Sequence, residues 1–255
     1  MPPPPAVSAL SVRGLAKAFA GRWAVAGVDL DVPRGSFYGL LGPNGAGKTT
    51  MLRMACGLLR PDAGGTWIDG WSTWEHPVEV KARIGVVLDS DHLFERLTGP
   101  ELLEYLGLIR GVDAPTVKQR STELLAALGL ANDLDTLIVD YSAGMRKKIG
   151  LASALLHAPS VLILDEPFEA VDPVSARTIR SMLEAVRRSG STVIMSSHVM
   201  AQVELMCDHV GIIAQGQMVS VGTLDQVRGG GTLEEAFVRA VGADAAQVSL
   251  SWLPQ

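Results

Sequence analysis

The stretch Gly42-Pro43-Asn44-Gly45-Ala46-Gly47-Lys48-Thr49-Thr50 limits what this chain can fold into more than any other part of it. It has the spacing G-x-x-x-x-G-K-[ST], follows the apolar run Phe37 to Leu41 and precedes the helical pattern Met51 to Leu59. A strand, a tight loop and a helix are therefore predicted in that order. Glycines at 42, 45 and 47 permit positive φ and let backbone N–H groups close on a polyphosphate. Lys48 can reach the terminal phosphates, Thr49 offers a hydroxyl to Mg²⁺, and a helix starting near Gly47 adds its positive N-terminal end. The implied property is nucleotide phosphate binding, without yet a purpose.

Further along, other strand ends carry groups that complement a phosphate. Val161 to Leu164 is wholly apolar, as a buried strand requires, and ends in Asp165 and Glu166. Asp165 is placed to face Mg²⁺ and its waters, and Glu166 to accept the proton of an attacking water. Ser191 to Met195 reads as another strand, ending in Ser196-Ser197-His198, which makes His198 a candidate γ-phosphate contact. Ligands of open parallel sheets sit at the carboxyl ends of strands, where the Lys48 loop would also lie. Ser142 is a good N-cap for a helix that continues as the run Ile149 to Leu156, and small residues after it leave a second anion-binding helix start. Arg146, Lys147 and Lys148 in that first turn oppose the macrodipole unless an anion or acidic neighbours meet them.

The remaining segments frame these motifs. Ala9 to Val12 and Val25 to Val32 are strand-like, and Leu15 to Trp23 joins them with an isolated aromatic, Phe19, that either stacks on a base or packs in a core. Short strands are predicted at Gly64 to Gly70 and Arg83 to Leu88, with Trp67, Trp71 and Trp74 clustered between them, either as packing under a small sheet or as a contact surface. From about Leu97 to Tyr141 the pattern is helical, with Pro100 in a first turn and Asp113-Pro115 opening a second helix. A helix from Asp172-Pro173 through Arg187, strands Gly211 to Ala214 and Met218 to Val221, and a helix Thr232 to Val241 complete the pattern.

Composition narrows the classes. A chain of 255 residues with 47% hydrophobic content can bury one large α/β core, and a net charge of -5 without a basic run disfavours a nucleic-acid surface. Cys56 and Cys207 lie in apolar stretches, as in a reducing compartment. Residues 1–6 read as an extended, disordered tip and 243–255 as a flexible tail around a domain of 7–242. The longest apolar stretch, Ile149 to Leu164, is broken by His157 and Pro159 and is too short to span a bilayer, so membrane association requires a partner protein.

In this order the motifs resemble the nucleotide-binding subunit of an ATP-binding-cassette (ABC) transporter over about Val7 to Gly242. Gly42 to Thr49 resembles the Walker A loop, Val161 to Glu166 the Walker B strand with its catalytic glutamate, Ala170 to Pro173 the D-loop, His198 the switch histidine and Phe19 the base-stacking aromatic. Tyr141-Ser142-Ala143-Gly144-Met145 is similar to the family signature, which in that family closes on the γ-phosphate held by a second subunit. The resemblance implies an α/β fold: a RecA-like P-loop NTPase core, an antiparallel β subdomain and an inserted helical subdomain at about 97–141. It also implies ATP and Mg²⁺ as cofactors, a homodimer, a separate integral membrane permease, and a place on the cytoplasmic face of the membrane without direct insertion or nucleic-acid binding. The YSAGM form is similar to exporter-type cassettes for drug, antibiotic or polysaccharide efflux. One departure is Asp89, which stands where the family has a glutamine; a carboxylate there can still hold a Mg²⁺-bound water but adds negative charge next to the triphosphate. A soluble cassette ATPase without transport, or a regulatory ATP-binding module, are the rival expectations.

Overall fold

Consecutive strand residues can all be buried only if both faces of their sheet are covered, and this requirement sets the architecture. The computed structural model describes residues 8–88 and 93–242; the expected tip at 1–6, Asp89 and the expected tail at 243–255 lie outside the described residues.

Antiparallel strands β1 (Ser8–Phe19) and β2 (Arg22–Pro33) open the chain. β3 (Phe37–Leu41) leads through the glycine loop into helix α1 (Lys48–Ala55). β4 (Ala63–Ile68), β5 (Trp71–Ser72), α2 (Pro77–Arg83) and β6 (Ile84–Val87) follow. The helical stretch contains α3 (Gly99–Ile109) and α4 (Ala114–Ala127), a short turn at Ile138–Asp140 and then α5 (Ala143–Leu155). β7 (Val161–Leu164), α6 (Pro173–Arg188), β8 (Thr192–Ser197) and α7 (Met200–Met206) come next. β9 (His209–Ala214), β10 (Gln217–Thr223), α8 (Leu224–Arg228) and α9 (Leu233–Val241) close the described chain.

The strands form two sheets, ordered β2-β1-β4-β5 and β10-β9-β3-β8-β7-β6. The first is antiparallel; in the second only the β9–β10 pairing is antiparallel. Side chains of the second sheet alternate between two cores. Phe37, Leu41, Leu162, Leu164, Val193 and Met195 face the core shared with α3, α5 and α6. Tyr38, Leu40, Val161, Ile163 and Ile194 face a second core, closed by α1 and the antiparallel sheet. An unbroken apolar run such as Val161-Leu162-Ile163-Leu164 is what a strand covered on both faces requires.

Capping chemistry explains the helix starts. The Thr98 hydroxyl accepts from Glu101 N while the Glu101 carboxylate accepts from Thr98 N, and Asp113 and Asp172 accept first-turn amides of α4 and α6. The entrance and exit of the helical stretch run side by side, with Ile138 N donating to the Leu97 carbonyl and Val139 N to that of Glu95.

Several segments depart from the expectations. β1 runs on to Phe19 where the apolar pattern breaks after Val12, because Gly14, at φ +53, carries a bulge past which pairing with β2 resumes. Asp62 fixes the resumed strand by accepting from Ala18 N and from Lys17 Nζ. α2, α7 and α8 are absent from the sequence reading; each is too short to show a periodicity, and α2 buries only Val80. Of the tryptophans, Trp67 is half-buried while Trp71 and Trp74 are exposed, so the cluster lies at the surface. Trp71 meets His76 edge-on and lies under the Arg83 guanidinium. Among the described residues no helix is long and apolar enough to cross a membrane.

Candidate active site

Parallel pairing in register aligns the carboxyl ends of the central strands. Leu41 pairs with Ser197, Leu164 with Met195 and Val87 with Leu164, so Gly42, Asp165 and His198 emerge at one edge of the sheet. The glycine loop turns there. Gly45 and Gly47 have φ of +80° and +108°, and a Cβ at Gly47 would lie 2.3 Å from the Ala24 carbonyl oxygen, so only glycine fits. The loop is tied to the β9–β10 turn, with Gly216 N donating to the Ala46 carbonyl and Ala26 N to that of Gly216. Gly47 has no side chain to cap α1, so the first-turn amides face the loop, where an anion can accept from them.

The loop forms one wall of an open cavity of about 410 Å³, lined by residues 43–50 with Ala24, Leu88, Lys147, Asp165, Glu166 and Glu169. Lys48 is buried, and its Nζ donates to the Gly42 carbonyl at 2.7 Å and lies 3.4 Å from Glu166 Oε1. At 3.4 Å this is an ion pair and not a well-formed hydrogen bond, and Oε1, buried, has no hydrogen-bond donor. Glu166 Oε2 lies 3.1 Å from His198 Nδ1. The Thr49 hydroxyl donates to Asp165 Oδ2 at 2.6 Å, and the Ser196 hydroxyl donates to Asp165 Oδ1. Lys48, Thr49, Asp165, Glu166 and His198 thus come together from three strand ends.

The Thr49 hydroxyl and the Asp165 carboxylate in contact, with Glu166 Oε1 lacking a hydrogen-bond donor, form an all-oxygen donor set suited to Mg²⁺. Among the described residues no group of three or more His, Cys, Asp or Glu could hold a metal by itself. Mg²⁺ here would depend on phosphate oxygens to complete its shell, as it commonly does.

Other expected site residues lie apart. Phe19 ends β1, half exposed, with Lys17 Nζ 5.8 Å from its ring; it does not line the cavity, although Ala24 across the same hairpin does. Ser142 is exposed and caps α5, its hydroxyl accepting from Met145 N at 3.2 Å. Gly144 is buried against α6, where a Cβ would lie 2.8 Å from Ser175 Oγ and 2.9 Å from Asp172 Oδ2. Neither Ser142 nor Gly144 lines the cavity that contains Lys48. The unfavourable charges at the start of α5 have the partners they need. Arg146 pairs with Glu95 and caps the Val139 carbonyl, Lys147 donates to the Glu166 carbonyl, and Lys148 is buried where its charge acts on Asp172. Hydrogen bonds from Ser175 hold the Asp172 carboxyl below the usual carboxylate range, which keeps this cap charged.

Lys147 and Glu169 line the cavity and Ser196 donates to Asp165, although no sequence motif assigns them there. The two serines that end an apolar strand are the signal for Ser196; Glu169 gives none.

The sequence family described as "ABC transporter" matches residues 25–169. The ABC transporter ATP-binding protein NatA of Bacillus subtilis is 37% identical over 205 residues, 80% of this chain and 83% of the relative. The daunorubicin/doxorubicin resistance ATP-binding protein DrrA of Streptomyces peucetius is 35% identical over 220 residues, 86% of this chain and 67% of the relative. A solved structure of an ATP binding subunit of an ABC transporter is 28% identical, with a TM-score of 0.85 over 91% of this chain and 99% of that one.

Proposed function

The chain belongs to the ABC transporter family as one of its ATP-binding ATPase subunits, and from that premise we propose that it drives efflux of a substrate through a separate membrane permease, as a Mg²⁺-dependent head-to-tail homodimer. The observation that supports this reading is the division of groups within one chain. Lys48, Thr49, Asp165 and Glu166 line the cavity and His198 stands 3.1 Å from the Glu166 carboxylate, while the exposed cap Ser142 does not line it.

Loop amides of residues 42–50 and the Lys48 ammonium bind the β- and γ-phosphates, and Lys48 exchanges its contacts with Gly42 and Glu166 for phosphate oxygens. Thr49 and Asp165 would hold Mg²⁺, which when bound neutralises charge at the β- and γ-oxygens. Asp89, at the family's glutamine position, would hold a Mg²⁺-bound water. Glu166 accepts the proton of the attacking water, and His198, beside its carboxylate, orients the γ-phosphate. Phe19 stacks on the base, and Ser142 and Gly144 of a second copy complete the site.

Efflux is inferred from the YSAGM signature and the resistance relatives. The permease contact is assigned to the segment leading to Leu97 and to α3. Phe94 is 52% exposed and stacks edge-on with Tyr105, Leu93 and Leu97 are only partly buried, and Ile109 is 65% exposed. Such a contact would hold the subunit at the cytoplasmic face of the membrane.

Phosphate release by the purified chain tests the assignment. Lys48→Ala should lose ATP binding. Glu166→Gln should bind ATP, lose about 10²–10⁴-fold in turnover and accumulate as a dimer on ATP addition. Wild-type turnover by Glu166→Gln would remove Glu166 as general base. Asp89→Gln should alter the Mg²⁺ dependence of hydrolysis, and an unchanged Mg²⁺ titration would take Asp89 out of the site.

A further inference from the structure

Glu166 has φ +45, in the left-handed region that residues with a side chain rarely adopt. Something outside its own dihedral preference must hold it there. Its N–H donates to Ser196 Oγ at 3.0 Å, and its carbonyl accepts from Lys147 Nζ at 3.2 Å and from Glu169 N at 3.1 Å. Lys147 and Glu169 line the cavity and can meet a ligand directly, whereas Ser196 is completely buried. The Ser196 hydroxyl has one hydrogen, and that hydrogen is committed to Asp165 Oδ1. One side chain therefore orients the carboxylate of Asp165 and, through a lone pair, the main chain of Glu166. Pairing of Leu164 with Met195 puts Ser196 beside Asp165 at the end of the next strand.

We propose that Ser196 is a positioning residue for hydrolysis: its hydroxyl holds the Glu166 main chain in the left-handed turn that directs the carboxylate between Lys48 and His198. Ser196 acts through Glu166 and does not touch the nucleotide. A backbone released at this point would let the carboxylate leave His198 Nδ1 and the direction from which water must attack, while the loop amides and Lys48 still bind the phosphates.

The proposal rests on Glu166 being the general base of an ATPase, so the experiment checks both. Phosphate release is measured for wild type and Lys48→Ala, and equal rates would refute the ATPase reading itself. If they differ, Ser196→Ala should lower kcat by about 10–100-fold, the range of an outer-shell partner, with an unchanged Kd for a fluorescent ATP analogue. Ser196→Thr, which keeps the hydroxyl, should recover most of the loss. In a Glu166→Gln background the same Ser196→Ala change should cost less than about twofold in single-turnover hydrolysis, since residues acting through one another are non-additive. The proposal is overturned by a wild-type kcat in Ser196→Ala, by a loss that appears in Kd, or by an equal loss in the Glu166→Gln background. The last result would trace the effect to Asp165 instead. Should Ser196→Ala fail to fold, Ser196→Cys, similar in size but with a sulfur that accepts only weakly from the Glu166 N–H, is read against the same outcomes.

Discussion

At the scale of single residues, glycines show most directly how packing restricts chemistry. Gly211 in β9 faces Tyr38 of β3, and a Cβ there would lie 2.2 Å from the Tyr38 hydroxyl oxygen and 2.6 Å from Met218 Cε. The Tyr38 hydroxyl is fully buried and has no hydrogen-bond partner, and burial pushes its pKa up. Gly211→Ala is expected to cost about 1–3 kcal/mol in urea unfolding, the usual penalty of overpacking. Tyr38→Phe removes the clash with the hydroxyl and an unsatisfied polar group, leaving only the movable end of Met218 to shift, so it should rescue most of the Gly211→Ala loss and be neutral or stabilising alone. A Tyr38→Phe variant markedly less stable than wild type would mean that the hydroxyl has a partner after all. Gly47→Ala, by contrast, meets backbone and not a movable side chain, and nucleotide binding should be lost.

At the scale of elements, α5 carries two demands at its first turn. Ser142 caps the helix through its hydroxyl, and by the proposal above it also faces the γ-phosphate of a partner. Ser142→Ala should cost about 1 kcal/mol of stability through the cap alone. Ser142→Asp separates the demands, because aspartate caps equally well but sets a negative charge against a phosphate. Its thermal midpoint should match wild type while ATP-driven dimerisation, read by light scattering, disappears; normal dimerisation would leave Ser142 with the cap alone.

A second link between elements is His157, whose Nε2 lies 2.9 Å from the Ile84 carbonyl and 3.2 Å from the Arg110 guanidinium. Burial, reinforced by the Arg110 charge, pushes its pKa down to about 4 from an unfolded value near 6.5. Between these values the unfolded chain binds more protons than the folded one. Stability should therefore be full above about 6.5 and fall as pH drops toward 4. Urea midpoints measured across this window should decline with acid in wild type and decline less in His157→Gln. Equal slopes would show that His157 is not the group responsible.

At the scale of the whole molecule, one sheet separates two cores, and the exposed apolar side chains that remain have no role in either. Phe94, Tyr105, Leu108 and Ile109 are between 45% and 65% exposed, and Phe94 packs on Tyr105. Replacing Phe94 and Ile109 by serine should change stability by less than about 0.5 kcal/mol and leave ATP hydrolysis by the isolated chain intact. Copurification with a permease of about six apolar spans should be lost. Retention of that complex would move the docking face elsewhere, the surface tryptophans Trp71 and Trp74 being one other exposed apolar group.

Much of this was legible along the chain, because it depends on neighbours in sequence. The loop of residues 42–50, the doubly buried run Val161 to Leu164, the caps Ser142, Asp113 and Asp172, and the order of the longer elements follow from local periodicity, glycine geometry and capping chemistry, whereas the short helices α2, α7 and α8 do not. What depends on contacts between distant segments was decided only by the folded chain. Ser196 becomes a partner of Asp165 because strand pairing sets Met195 against Leu164, and no spacing in sequence encodes that adjacency. The basic first turn of α5 is tolerated because Glu95, the Glu166 carbonyl and Asp172 are folded against it. The left-handed turn of Glu166 has the same origin: its own preferences disfavour the conformation, and it is met by a hydrogen bond to Ser196 and by others from Lys147 and Glu169. The sequence by itself determined which residues could do the chemistry and along which strands they end; the tertiary structure decided how the Glu166 main chain is held, since that takes a hydrogen bond to Ser196, 30 residues away, and one from Lys147 in α5.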